Sequence, residues 1–389
     1  MTKPRNYLHT QTSNSLSIHS QSSEDTLTSS GAARLVRLRN LLETVQADLL
    51  FSDHLQLIHY LTGFRGSNGS LLVSRHPGES PYLCTDGRYL EQAAFQAKEH
   101  GIDISIDTRP ILGPDGIITT HRKQMVIAVD MSSLNLTNYL QLKESGKPLV
   151  DVSASLADMR AHKDAAEIAA ITKASTVADR AITQTLSHLK DSPTELELAG
   201  WFEYYVRECG AEGVSFPTII ASGSRTSLPH AQPTRQRIVA PTPMVIDFGA
   251  MVDGYCSDST RSFYFGEPPT NYQRTYEIVT AAKAAGVAQL RPGNTVHAVE
   301  RATRDYLRAH KVEEYLLHGV GHGVGLEIHE YPFTASAIDV VVEPDMCITV
   351  EPGLYYAHDF GIRLEDLYLT TAVTPISLTN SSGEGVSFG

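Results

Sequence analysis

Four short segments in the second half of the chain place acids and histidines beside glycines, on stretches that read as strands. Asp247 stands in the apolar run Met244–Phe248, where an unpaired carboxylate is expensive to bury. Asp258 follows after a short Gly-containing connection, a natural hairpin that brings the two carboxylates side by side. His318, His322 and His329 fall within twelve positions of a Gly-rich stretch, and in an extended chain His318 and His322 share a face. Glu351 and Glu365 each end an apolar run. Four carboxylates and one imidazole suit two bridged divalent ions, such as Mn²⁺ or Co²⁺, better than one structural zinc. Two ions roughly 3.5 Å apart hold a bridging hydroxide and polarise a carbonyl, which is chemistry for hydrolysing an amide.

Taken singly, each residue also has a plainer account. One aspartate pairs with Arg261 and the other sits in a turn; one glutamate flanks a turn and the other pairs with Arg363. A lone histidine is more often a satisfied core or surface residue. The glycines at 319, 321, 323 and 325 undermine a helix, so these histidines are not the HExxH pair of zinc proteases.

These segments need elements to hold them. Ala165–Leu189 and the stretch from Thr194 to about Cys209 read as helices, the second behind a capping signal at Ser192–Glu195. Strands are expected at Pro217–Ala221, Met244–Phe248 and Thr260–Phe265, and helices at Asn271–Leu290 and Val296–His310. Helices followed by strands indicate an α+β half. Upstream, Leu49–Phe51, Leu71–Val73, Pro81–Cys84 and Val126–Val129 read as strands, with helices over Arg88–Lys98 and Leu134–Glu144. That is an α/β unit. Its Gly-rich Thr62–Gly69 stretch lacks a phosphate-loop pattern and reads as a turn.

With 389 residues the chain is long enough for two or three domains. A net charge of −12 argues against an unaided nucleic-acid or anionic-membrane surface. Cys84, Cys209, Cys256 and Cys347 form no CxxC pair, which fits a reducing compartment. No apolar run approaches a membrane span and no secretory signal is visible, so a cytoplasmic location is expected. Residues 1–30, rich in Ser, Thr, Asn and Gln, read as a disordered tail, with structure beginning near Ala32.

In their order these motifs resemble those of the pita-bread metallopeptidases: aminopeptidase P, prolidase, methionine aminopeptidase and the metal-free creatinase. The likeness is closest to Xaa-Pro aminopeptidases and dipeptidases and extends from about Ala32. Tyr60–Phe64 and Asp86–Tyr89 resemble the family's N-terminal domain. The resemblance implies an α+β fold, with an N-terminal creatinase-like α/β domain over 31–158 and a pita-bread catalytic domain over 159–389. It implies Asp247, Asp258, His322, Glu351 and Glu365 as ligands of two divalent ions (Mn²⁺ first, Co²⁺ or Zn²⁺ as alternatives), with Asp258 and Glu365 shared. Glu351 becomes the base, and Arg363 the arginine that orients a carboxylate. His230, His318, His329 and Tyr355 fall at the substrate, with His318 and His329 stabilising the tetrahedral intermediate.

The expected activity is removal of an N-terminal residue that precedes proline. A strict Xaa-Pro dipeptidase is the alternative, followed by a hydrolase or lyase of other small substrates. From a different class comes a non-catalytic binding module on the same fold. The expected partners are a peptide with proline in second place and further copies of the chain, as a homodimer or homotetramer, with no nucleic acid and no membrane.

Overall fold

The computed structural model describes residues 23–120 and 124–381. Its first unit is a six-stranded mixed sheet in the order β4-β3-β2-β1-β5-β6. The strands are β1 (Leu49–Ser52), β2 (Ser70–Ser74), β3 (Tyr82–Cys84), β4 (Ser105–Asp107), β5 (Ile127–Val129) and β6 (Leu149–Asp151). Between and around them run α1 (Ser23–Thr44), α2 (Leu55–Thr62), α3 (Leu90–Glu99), α4 (Ile117–Thr120), α5 (Leu136–Glu144) and α6 (Ser153–Ala161). One face of the sheet packs on Leu35, Leu38 and Leu42 of α1 and on Leu57, Ile58 and Leu61 of α2. The other face packs on Ile111, Ile118 and Leu142.

The tail expected over residues 1–30 lies outside the described residues up to 22. From Ser23 onward the chain is helical, so α1 begins before Ala32. Once the leucine-bearing turns have nucleated a helix, each further residue adds one bond at small entropic cost, even with a Ser/Thr-rich sequence.

α7 (Ala165–Leu186) opens the second unit through a capping box: Asp164 accepts the N–H groups of Ala166 and Glu167, while Glu167 accepts that of Asp164. α8 (Glu195–Glu208) opens the same way from Thr194 and Glu197. These two helices cover β7 (Gly213–Val214), β8 (Ile219–Ser222), β9 (Thr242–Phe248) and β10 (Ala250–Val252) through one apolar cluster. β11 (Tyr255–Cys256) pairs with β10, and β12 (Ser259–Phe265) pairs with β9. α9 (Thr270–Val287) and α10 (Val296–Ala309) cover a second half through another cluster. That half holds β13 (His322–Gly323), β14 (Glu330–Phe333), β15 (Cys347–Val350), β16 (Gly353–Tyr355), β17 (Gly361–Arg363), β18 (Asp366–Leu369) and β19 (Ile376–Ser377). Two helix pairs thus enclose strands from both halves, as in a pita-bread fold.

The two units share a buried ionic junction. Arg34, 2% exposed, reaches Asp164 at 2.8 Å, Glu167 at 3.5 Å and the Tyr60 carbonyl at 2.9 Å. Nearby, Arg160 and Lys163 hold Glu330 at 2.6 and 2.8 Å, and Arg160 also reaches Glu327 at 2.8 Å.

Candidate functional site

Asp247 is carried on β9 opposite Thr260 of β12. The connection between these strands is not the single short hairpin expected. It contains a hairpin of its own, β10–β11, whose tip residues Asp253 and Gly254 both take positive φ. An Asp-Gly pair of that conformation closes a two-residue turn matched to strand twist. A β carbon on Gly254 would collide with the His59 ring of α2, so the tip also needs glycine for close approach. Asp258 lies just before β12, buried beside Asp247 and Glu365.

Only His322 and Gly323 of the Gly-rich segment form a strand; His318 lies in the loop before it. The histidines nevertheless line one cavity of about 490 Å³ together with His230, Asp247, Asp258, Glu351, Arg363 and Glu365. Glycine explains why the segment fits. A β carbon at Gly321 would overlap the Thr349 carbonyl, so only glycine lets the chain lie against β15. Gly321→Ala is therefore expected to displace His322 and reduce bound divalent ion per chain, as measured by elemental analysis.

The acids and one imidazole form overlapping triads. Ligand atoms of Asp247, Asp258 and Glu365 lie within 4.8 Å of one another, as do those of His322, Glu351 and Glu365. His322 Nε2 is 3.5 Å from Asp258 and 3.4 Å from Glu351. Its Nδ1 faces the Gly323 carbonyl at 3.1 Å, which places the proton there and turns the Nε2 lone pair to the carboxylates. Burial and the nearby His329 push His322 down to about 4, so the ring is neutral. Burial, then the charge of Glu365, hold both Asp258 and Glu351 far above the usual carboxylate range. Glu365 is pushed up to about 8 by burial and Asp247. Asp247 Oδ1 and Glu365 Oε1 are buried with no hydrogen-bond partner. Crowded carboxylates, two orphan oxygens and one exposed lone pair fit divalent cations.

None of the plainer pairings holds. Arg261 joins Asp366 at 2.7 Å, and Arg363 joins Asp247 at 2.6 Å rather than Glu365. Arg363 also donates to Thr260 Oγ1, the Pro229 carbonyl and the Tyr355 hydroxyl. Thr260 in turn donates to Glu365 at 2.7 Å. Sequence reasoning passed over Thr260, although it stands two residues beyond Asp258 in a period-two stretch.

Two residues expected at the substrate make contacts of their own. Tyr355 does not line the cavity. It is buried behind the lining residues, with its hydroxyl 2.8 Å from Arg363 Nη1 and 2.9 Å from His318 Nε2. His318 is held by burial at about 4, hence neutral, with Nδ1 2.7 Å from the Gly319 carbonyl. Its proton is on Nδ1, and Nε2 accepts from Tyr355. His318 is thus engaged at both ring nitrogens, and His329 and His230 are the imidazoles exposed in the cavity.

Residues 169–372 match the model of metallopeptidase family M24, and residues 34–162 that of the creatinase/prolidase N-terminal domain. The chain belongs to metallopeptidase family M24. An uncharacterized peptidase of Bacillus subtilis is 34% identical over 358 residues, covering 90% of this chain and 99% of that one. A solved Xaa-Pro dipeptidase from Bacillus anthracis superposes with a TM-score of 0.82 at 32% identity, covering 92% of this chain and all of that one. An X-Pro aminopeptidase from Thermotoga maritima gives 0.80 at 29%, covering 89% and 97%. The M24 assignment agrees with a divalent-metal peptidase on a pita-bread fold. Among the described residues no helix is long and apolar enough to cross a membrane.

Proposed function

We propose that this M24 peptidase hydrolyses the bond between an N-terminal residue and a following proline, using two divalent ions. The observation that carries this reading is the pair of carboxylate triads sharing Glu365, with two orphan oxygens, on the wall of a cavity otherwise lined by apolar groups, histidines, Gln232 and Arg363. Asp247, Asp258 and Glu365 would hold one ion; His322, Glu351 and Glu365 the other, with Asp258 close enough to His322 to serve both. Bound there, the ions would activate water as nucleophile and polarise the scissile carbonyl. Held as a carboxylate by the ions, Glu351 would take the proton of the attacking water. Arg363 fixes Asp247, Tyr355 holds His318 as part of the wall, and His329 or His230 faces the carbonyl oxygen with a ring N–H.

Substrate length follows from the cations. Among the described residues lining the cavity, Arg363 is the only permanent cation, and it is committed to Asp247, Thr260, Pro229 and Tyr355. No permanent cation among these lining residues is free to grip the terminal carboxylate of a dipeptide, whereas the apolar Phe333 flanks the cavity. The reading is thus an Xaa-Pro aminopeptidase. A strict dipeptidase is the second reading, favoured by relatives named Xaa-Pro dipeptidase. With Mn²⁺ supplied, Ala-Pro-Xaa tripeptides are expected to be cleaved with kcat/KM at least equal to that for Ala-Pro. Turnover confined to Ala-Pro would establish the dipeptidase, and no turnover of either would overturn both.

A further inference from the structure

The segment leading from His318 to His322 is gripped from outside the cavity by one turn of α10. Glu300 and Arg304, four residues apart, pair at 2.6 Å. Arg304 Nη2 donates to the His318 carbonyl at 3.0 Å. Glu300 Oε2 accepts the Val320 N–H at 2.9 Å and lies 2.8 Å from Thr334 Oγ1. On the inner side, the Val320 carbonyl accepts the Glu351 N–H at 2.8 Å. Neither Glu300 nor Arg304 lines the cavity.

The Val320 N–H and the Gly319 carbonyl belong to one peptide plane, so holding the first orients the second. That carbonyl is the one that takes the His318 Nδ1 proton at 2.7 Å. Glycine at 319 leaves the plane free to turn if nothing holds it. We propose that Glu300 is a positioning residue that sets the tautomer of His318 by fixing the Gly319–Val320 peptide. Held this way, Nε2 of His318 stays an acceptor for Tyr355, and the ring keeps its place in the cavity wall. Arg304 steadies Glu300 and the His318 main chain but does not choose the tautomer.

The tautomer is read directly from ¹⁵N shifts of ring-labelled histidine in the full chain, with the His318 signals assigned by their loss in His318→Asn. The wild-type protein is expected to show His318 protonated on Nδ1. Glu300→Ala should convert that signal to the Nε2-protonated or an averaged form. Glu300→Gln, which keeps an acceptor oxygen for Val320, should preserve it, as should Arg304→Met. Because the inference about catalysis rests on the function proposed above, kinetics form a separate arm. If the wild type cleaves Xaa-Pro peptides, Glu300→Ala should raise KM roughly tenfold with kcat changed much less, and Glu300→Gln should restore most of the loss. An unchanged His318 signal in folded Glu300→Ala overturns the inference, as does an equal change in Arg304→Met. Should Glu300→Ala not fold, loss of the Nδ1 form in Glu300→Gln would overturn it, and its retention there but not in Val320→Pro, which removes the N–H, would support it. A wild type without Xaa-Pro activity defeats the function but leaves the spectroscopic result decisive.

Discussion

Glu365→Gln should abolish turnover while making the metal-free protein harder to unfold. Glu365 belongs to both triads, so its loss is expected to lower kcat/KM by on the order of 10³ or more. In the absence of cations the same carboxylate repels Asp247, Asp258 and Glu351 in a buried space. Glutamine keeps an oxygen for the Thr260 hydroxyl and turns an amide toward the remaining acids. The pH dependence has a definite sign. In the fold Glu365 keeps its proton up to about 8, whereas its ordinary value is 4.5. Between these values the folded state holds more protons than the unfolded chain, so raising pH destabilises it. The contribution is full below about 4.5 and gone once pH has risen through about 8. Protons also compete with cations for these oxygens. Stripping the metal with a chelator should therefore lower Tm by a margin that widens from pH 5 to pH 8. Glu365→Gln should narrow the pH dependence of the stripped protein. Calorimetry of loaded and stripped samples reads both effects, and equal melting curves would refute the charge-crowding account.

The other large effect is expected at the junction of the two units. Arg34→Met removes the buried cation that faces Asp164 and Glu167, leaving Glu167 buried without its main counter-charge. Breaking one side of such a pair costs about 3–5 kcal/mol, more than the pair itself contributes. Urea unfolding should show that loss. Adding Glu167→Gln to Arg34→Met should recover a large part of it, since the uncompensated charge disappears. A single Arg34→Met variant as stable as the wild type would mean that water reaches the junction.

Much of this arrangement was legible because charge interrupts apolar periodicity. Asp247 in an apolar strand and histidines among alternate glycines violate the local pattern, and such violations concentrate where function does. The start of α8 was legible from the Ser192–Glu195 stretch, although the capping box that forms there is Thr194 with Glu197, and the Asp164/Glu167 box of α7 was not read from the sequence. α2 and α6 were not foreseen: Leu55–Thr62 is too short for its periodicity to stand apart from a buried strand. Partners were harder to read than elements. Arg363 sits two positions from Glu365 yet turns to Asp247, 116 residues away, because β17 ends at Arg363 and Glu365 lies in the link to β18. Tyr355 was placed at the substrate by resemblance alone, and nothing in the sequence told of the contacts its hydroxyl makes with Arg363 and His318.

The five carboxylate and imidazole positions of the two triads come from segments spread between residues 247 and 365, and no two neighbouring triad members share a continuous stretch longer than a hairpin. Long-range pairings of this kind form late in folding, after the loops that join them have closed. A fragment ending before β17 would hold at most four of the five groups, with Glu365 absent from both triads. Cation capture therefore acts as a clock on the finished chain: the arrival of a luminescent or spectroscopically visible divalent ion would mark the moment at which the last strands dock.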